Sequence, residues 1–371
     1  MSRWALAALP LVVACHGGEA EPYAWRLPPH FPEPWVPDDA PMSEAKVELG
    51  RHLFYEERLS VSGTISCGTC HVQALAFTDG RATSIGADGH AGTRSSMTLA
   101  NVAHQPTLTW GNPVLDTLEA QALVPLFLDV PLELGAQYVI VDVLEEMAAD
   151  EYRARFVDAF PDQDDPFTVG NVAAALAAFQ RTLSSGDSPY DRHLRGEPGG
   201  LSPAAERGLA LFESSRLRCA GCHGGLLLAS DMRSADDPEA TARFENTGLY
   251  DLGAGGGYPP PNVGLFEFTG ESTDMGRHRI PSLRNIAVTA PYMHDGSIAD
   301  LDGVLDHYAA GGRTLSDGPW AGVGADNPNK SPLVAGFELT AAERADLVAF
   351  LEALTDEAFL VDPRFSDPTA G

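Results

Sequence analysis

The chain has 371 residues, 44% of them hydrophobic and 20% charged, with 52 acidic against 24 basic residues and a formal net charge of −28. That length allows two domains, each with its own core. The acidic excess excludes a nucleic-acid binder, which needs clustered Lys and Arg. It favours a neutral or basic partner surface in addition to serving solubility.

Met1-Ser2-Arg3 is a short basic start, and Ala5 to Ala14 is apolar but too short to span a bilayer. Val12-Val13-Ala14-Cys15 reads as a bacterial lipobox with Cys15 acylated, so residues 1–15 are a lipoprotein signal peptide. Export to the periplasm follows, with membrane contact only through the lipid anchor. The alternative is an ordinary cleaved signal peptide with an incidental cysteine. Residues 16–41 are rich in proline and aromatics, including Trp25, Trp35 and Pro37, and read as an extended tether with its aromatics laid along the body.

Ser43 caps a predicted helix carrying Val47, Leu49, Leu53 and Phe54. Then comes Cys67-Gly68-Thr69-Cys70-His71, the attachment signature of a c-type haem: two thiols add across the vinyl groups and the His supplies an imidazole to iron. Phe77 to Trp110 is loop-like. Helices are predicted over Leu115–Leu126, Val139–Phe160 and Thr168–Leu183, and Ser184 to Gly200 is the predicted domain boundary. Ser202-Pro203 opens a helix leading to a second motif, Cys219-Ala220-Gly221-Cys222-His223, 152 residues after the first (219 − 67). Two zinc sites would need four ligands each, and no cysteine is left for them. Further helices follow at Asp300–Ala310 and behind the Thr340–Glu343 capping box. No strand signal competes. The fold class is mainly α: two cytochrome c-like haem domains packed together, residues 42–190 and 191–371, echoing each other as a duplication.

The residues around these motifs resemble the bacterial dihaem cytochrome c peroxidase family that includes MauG. The resemblance rests on Leu49-Gly50-Arg51-His52-Leu53-Phe54, Arg58-Leu59-Ser60, Pro281-Ser282-Leu283-Arg284-Asn285 and Tyr292-Met293-His294-Asp295-Gly296, and covers nearly all of residues 42–355. A narrower likeness is to the MbnH-type dihaem enzymes. It is carried by Lys46-Val47-Glu48-Leu49-Gly50, Gln73-Ala74-Leu75-Ala76-Phe77-Thr78-Asp79-Gly80 and Leu108-Thr109-Trp110-Gly111-Asn112-Pro113. It implies two covalent haems, hydrogen peroxide as oxidant, a high-valent dihaem state, and oxidation of a tryptophan in an MbnP-type copper-binding partner to kynurenine.

The resemblance also assigns residues. His71 and His223 are the proximal ligands. The family's distal methionine falls fourteen residues after the His of Tyr-x-His-Asp-Gly; here that position is Tyr308, as in MauG. Leu301, Val304, Leu305 and Tyr308 share one helix face, so sequence alone also permits a core tyrosine. His307 is expected to point away from that face, and Met293 is the other candidate ligand. Gln121, Pro125 and Glu133 line the peroxide pocket by family position, with Glu133 moving the proton between the peroxide oxygens. The Gln121–Glu133 interval is two residues longer than usual. Glu119 reads as a solvated helix residue, and His90 as a loop histidine rather than the displaceable ligand of ordinary dihaem peroxidases. Trp110 matches the tryptophan between the haems. The family's calcium site maps to Thr289, Pro291 and Ser95, the last replacing an asparagine. Two other functions remain in view: a peroxidase fed by a small cytochrome or cupredoxin, and a non-enzymatic electron carrier.

Overall fold

Local capping chemistry starts most helices of the first half. In the computed structural model, which describes residues 23–369, Ser43 accepts the Lys46 N–H at 3.2 Å and opens α1 (Glu44–Phe54). The single turn α2 (Cys67–Cys70) carries the first attachment motif, and Thr117 caps α3 (Leu118–Phe127). The helix predicted over Val139–Phe160 is two, α4 (Ile140–Met147) and α5 (Tyr152–Ala159). Asp150 makes the break. Its carboxylate accepts the Tyr152 N–H at 2.8 Å and pairs with Arg58 at 2.9 Å, a local side-chain bond that competes with helix continuation. Thr168 caps α6 (Val169–Arg181) as predicted.

The predicted boundary segment is not a loose linker. It contains α7 (Pro189–Leu194), whose Tyr190 belongs to the second core and whose Asp191 is fully buried. Then follow α8 (Pro203–Phe212), the short α9 (Phe266–Thr269), α10 (Leu301–Ala309, capped by Asp300) and α11 (Ala341–Glu352, with the Thr340–Glu343 capping box). Strand structure among the described residues is confined to two antiparallel pairs of two-residue strands, so the chain is mainly α as expected. No described helix is long and apolar enough to cross a membrane. The lipobox at Cys15 lies outside the described residues.

The duplication is visible atom by atom. A Cβ at Gly50 of α1 would lie 1.8 Å from the Ala175 carbonyl oxygen of α6, and one at Gly208 of α8 would lie 2.0 Å from the Asp346 oxygen of α11. Only glycine permits these two crossings. Four residues on, Phe54 meets Phe179 at 5.2 Å between ring centroids, and Phe212 meets Phe350 at 5.1 Å. Gly208→Ala therefore overpacks the α8–α11 crossing; the expected loss is about 1–3 kcal/mol, read as a lower denaturant midpoint of the holoprotein.

A second repeated feature joins the halves. Leu99-Ala100-Asn101-Val102-Ala103 and Leu283-Arg284-Asn285-Ile286-Ala287 match in sequence, and both asparagines adopt positive φ, 58° and 62°. Asn101 binds both backbone groups of Ser185; Asn285 accepts the Asp356 N–H at 2.8 Å and donates to the Ser185 hydroxyl. Ser185 and Asp356 are themselves bonded at 3.3 Å, so the two related nodes touch. The tail, expected in the second unit, returns to the first core through Phe359, Leu360 and Phe365, with Tyr55 donating to the Phe365 carbonyl at 2.7 Å. Aromatic burial outweighs chain order there.

The described part of the proline-rich segment, residues 23–41, lies along the body, as its composition predicts. Phe31 is buried against Leu227 and Ala229, and the Arg233 guanidinium sits 3.6 Å over the Trp35 ring. Above Phe31 is a buried ion pair: Arg284 grips Asp191 with two bonds of 2.8 Å, and His30 reaches the same carboxylate at 2.9 Å. Burial would raise the Asp191 carboxyl, but bonds and charge from Arg284, helped by Ser188 and His30, outweigh it and hold the carboxyl at about 2, below its ordinary 3.8. Its contribution, on the order of 2 kcal/mol, is present above pH 4 and is lost as pH falls toward 2. Arg284→Met strands that carboxylate. The expected cost is about 3–5 kcal/mol, read as a lower unfolding midpoint at pH 7 with the acid transition between pH 4 and 2 flattened.

Candidate haem sites

Each attachment motif is a tight turn with the histidine at its end. The His71 N–H returns to the Cys67 carbonyl at 2.9 Å and the His223 N–H to Cys219 at 2.8 Å. Each ring is then fixed by a carbonyl: His71 Nδ1 lies 2.7 Å from Phe77 O, and His223 Nδ1 lies 3.1 Å from Leu228 O. A carbonyl only accepts, so Nδ1 carries the proton and Nε2 keeps its lone pair for iron. Phe77 and Leu228 aim these carbonyls from positive φ, 61° and 50°, strained for non-glycine residues. The strain is braced in the same way twice. Thr98 Oγ1 donates to Ala76 O and Ser282 Oγ to Leu227 O, each at 2.6 Å. Burial holds both imidazoles below their ordinary value, His223 at about 4, so both are neutral near pH 7. The two sites fit c-type haem.

A cavity of about 250 Å³ runs from the second motif toward the first half. Cys219, Cys222, His223 and Tyr308 line it, with Met293 beside them. All four residues of the predicted α10 face, Leu301, Val304, Leu305 and Tyr308, reach this cavity. Burial pushes the Tyr308 phenol up, so only a strong positive charge at that spot would take its proton. His307 does not project to solvent: it is 5% exposed, with both ring nitrogens buried and unpartnered. α10 is covered on both flanks, which the single-face reading did not anticipate.

Trp110 lies on the same cavity and donates from Nε1 to the Ser95 carbonyl at 2.9 Å. Beside it is Arg279, which sequence reasoning missed. Its guanidinium is buried and meets the Gln105 amide oxygen, the Thr109 carbonyl and the Met97 sulfur, none of them a carboxylate. Burial lowers it to about 10. An uncompensated buried cation on a cavity wall suits the anionic propionate of a haem. Ser95, Thr289 and Pro291 line this cavity together; the Ser95 carbonyl is already engaged by Trp110 and its N–H by the His294 carbonyl at 2.8 Å.

On the first motif's side, Gln121 and Pro125 sit one turn apart on α3, both half-buried. Glu133 follows the α3 turn, its backbone oxygen accepting the Ala87 N–H at 2.8 Å. Its side chain is exposed, yet crowding by the surrounding chain pushes its carboxyl above the ordinary value. His90 is a solvent-facing loop residue, 84% exposed and paired with Asp88 at 3.1 Å. Glu119 is not the solvated residue expected: it grips the buried Arg181 guanidinium with bonds of 2.5 and 2.7 Å.

Two histidine-ended Cys-x-x-Cys turns on duplicated α-helical units, each with a carbonyl-fixed imidazole, define a dihaem c-type cytochrome. Residues 44–199 match the family described as di-haem cytochrome c peroxidase. The methylamine utilization protein MauG of Methylorubrum extorquens is 34% identical, over 90% of this chain and 84% of its own length. Cytochrome-c peroxidase IdrP1 of Denitromonas iodatirespirans is 35% identical, over 94% and 92%. A solved structure of a MauG-like protein associated with microbial copper homeostasis superposes with a TM-score of 0.91 at 48% identity, covering 93% of this chain and 99% of that one. The chain belongs to the di-haem cytochrome c peroxidase/MauG family of peroxide-dependent dihaem oxidoreductases.

Proposed function

We propose that this chain is a MauG-type enzyme that uses hydrogen peroxide to oxidise a residue of a partner protein at a distance. The observation that carries the reading is Tyr308, an oxygen donor lining the cavity of the Cys219–His223 site where ordinary dihaem peroxidases place methionine. When bound, the haems supply the reaction with peroxide and the storage of its oxidising equivalents. The chain's own residues divide the work. Gln121 and Pro125 shape the peroxide side, and the Glu133 carboxylate takes the proton of one peroxide oxygen and returns it to the other. His71 and His223 would hold the two irons, Tyr308 would offer an oxygen to the second, and Trp110 would relay charge between the sites. Calcium, where present, is held by Ser95, Thr289 and Pro291. The chain is periplasmic and anchored through Cys15.

The likeness to the MauG-like copper-homeostasis protein supports an MbnP-type copper-binding partner, its tryptophan converted to kynurenine. Two peroxides add two oxygens across the indole C2–C3 bond, which breaks to give N-formylkynurenine and two waters; hydrolysis then releases formate. The test incubates the dihaem protein, peroxide and the neighbouring gene's product, then maps the partner by mass spectrometry. One tryptophan should gain two oxygens and then lose its formyl carbon. The relatives named as peroxidases favour a second reading, in which a reduced cytochrome or cupredoxin donates the electrons. An unmodified partner together with fast oxidation of a reduced cytochrome would decide for that one.

A further inference from the structure

From the cavity wall that Tyr308 and Tyr258 share, a pair of tyrosine side chains leads outward. Tyr258 lines the same cavity, and its ring lies 5.5 Å from that of Tyr250, edge to face at 76°. Both rings are buried, packed in one small cluster with Leu249, Tyr292 and Ile298. Beyond Tyr250 the chain reaches the surface, where Asp295 and Arg313 are half-buried and Ser297 is exposed.

The two phenols differ in what receives their protons. Tyr258 donates to the side-chain oxygen of Asn246 at 2.8 Å, and a neutral amide is a poor base. Tyr250 donates to the carboxylate oxygen Oδ2 of Asp295 at 2.6 Å, the short length of a charge-assisted bond. The other Asp295 oxygen accepts the Ser297 N–H at 3.1 Å, which fixes the carboxylate in place. The Arg313 guanidinium lies 4.5 Å over the Tyr250 ring. A cation there resists positive charge on the ring. Tyr250 therefore gives up an electron only if its proton leaves too, and Asp295 stands ready to take it.

We propose that Tyr258 and Tyr250, with Asp295 as proton acceptor, form the exit by which oxidising equivalents leave the second haem site for an electron-rich aromatic side chain docked at the Asp295–Arg313 surface. In each passage Tyr250 loses one electron, by way of Tyr258, to the peroxide-oxidised dihaem centre, and its proton moves to Asp295 Oδ2. The resulting neutral phenoxyl takes one electron from the docked side chain and recovers its proton from Asp295. Two passages consume one peroxide, which with two protons becomes two waters. Tyr258, lacking a base, relays charge without holding it. The proposal rests on the function proposed above.

Rapid-freeze electron paramagnetic resonance of the holoprotein after peroxide, without partner, tests it. In protein carrying ring-deuterated tyrosine, a radical signal with collapsed hyperfine structure is expected. The signal is lost in Tyr250→Phe and in Asp295→Asn, returns in Asp295→Glu, and is unchanged in Tyr190→Phe. Haem absorbance and the thermal midpoint confirm that each variant is folded and loaded. A signal that survives Tyr250→Phe overturns the exit. A peroxide-induced optical change with no deuterium-sensitive radical in the unsubstituted protein overturns it as well, while leaving the proposed function standing. Absence of any lasting optical change overturns both.

Discussion

Glu133→Gln is expected to slow the reaction of the holoprotein with peroxide by about 10²–10⁴-fold, the usual contribution of a positioned acid–base group. Glutamine keeps the volume and one acceptor oxygen but cannot carry a proton from one peroxide oxygen to the other. The sign of the pH dependence follows from the direction of the carboxyl's shift. Crowding by the surrounding chain raises it above 4.5 although the side chain reaches solvent, and the carboxylate is the form that accepts the first proton. The rate should therefore fall as pH drops through that raised value, on a limb displaced above the ordinary carboxylate range. In Glu133→Gln the limb should vanish along with the rate. Stopped-flow mixing over a pH series measures both. Glu119→Gln is the matched comparison: it frees the buried Arg181 guanidinium and should cost stability while leaving the peroxide rate and its pH limb in place. If the Glu133 variant keeps the parent rate and limb, the proton is carried by another group.

Most of what places the haems is local and therefore legible in sequence. The Cys-x-x-Cys-His turns, the Ser43, Thr168, Ser202, Asp300 and Thr340 caps, and the apolar face of α10 are all short-range signals. The chain's partition was less legible, because tertiary contacts decide it. Asp150 splits one predicted helix by bonding Tyr152 and Arg58, and Phe359 and Phe365 carry the tail back to the first core. Long-range ion pairs were invisible for the same reason: nothing near Glu119 announces Arg181, 62 residues away. One missed feature had a signal. The repeat of Leu-x-Asn-(Val/Ile)-Ala at residues 99–103 and 283–287 marks the two asparagines at positive φ that tie the halves together. Arg279 had none. A basic residue in a loop becomes informative only once its burial without a carboxylate is seen.

Tyr308→Met should separate the two enzymatic readings. A phenolate oxygen is anionic and favours the oxidised iron, whereas a thioether favours the reduced one. Axial ligation tunes haem potentials over about 0.8 V, and tenfold in a one-electron equilibrium is about 59 mV. A shift of roughly 0.1–0.2 V toward the reduced form is therefore about 10²–10³-fold in the balance between stored and released oxidising equivalents. The lifetime of the peroxide-oxidised protein, followed optically without partner, should shorten by that factor, and modification of the partner should be lost. Oxidation of a reduced small cytochrome should persist or quicken. Tyr308→Phe keeps the ring in the cavity wall but removes the oxygen, so it distinguishes ligation from packing. If the Met and Phe variants both keep the parent lifetime, Tyr308 is a core residue and the second site is closed by something else, with Met293 on the same cavity the next residue to replace. If only the Met variant fails to bind its second haem stably, the ring's contribution is structural. A shortened lifetime in both, with both haems retained, leaves the oxygen as the cause. The two attachment motifs share a histidine-ended turn, a carbonyl-fixed imidazole and a hydroxyl brace, so any functional inequality between the sites comes from other groups, and Glu133 and Tyr308 are the two that these variants test.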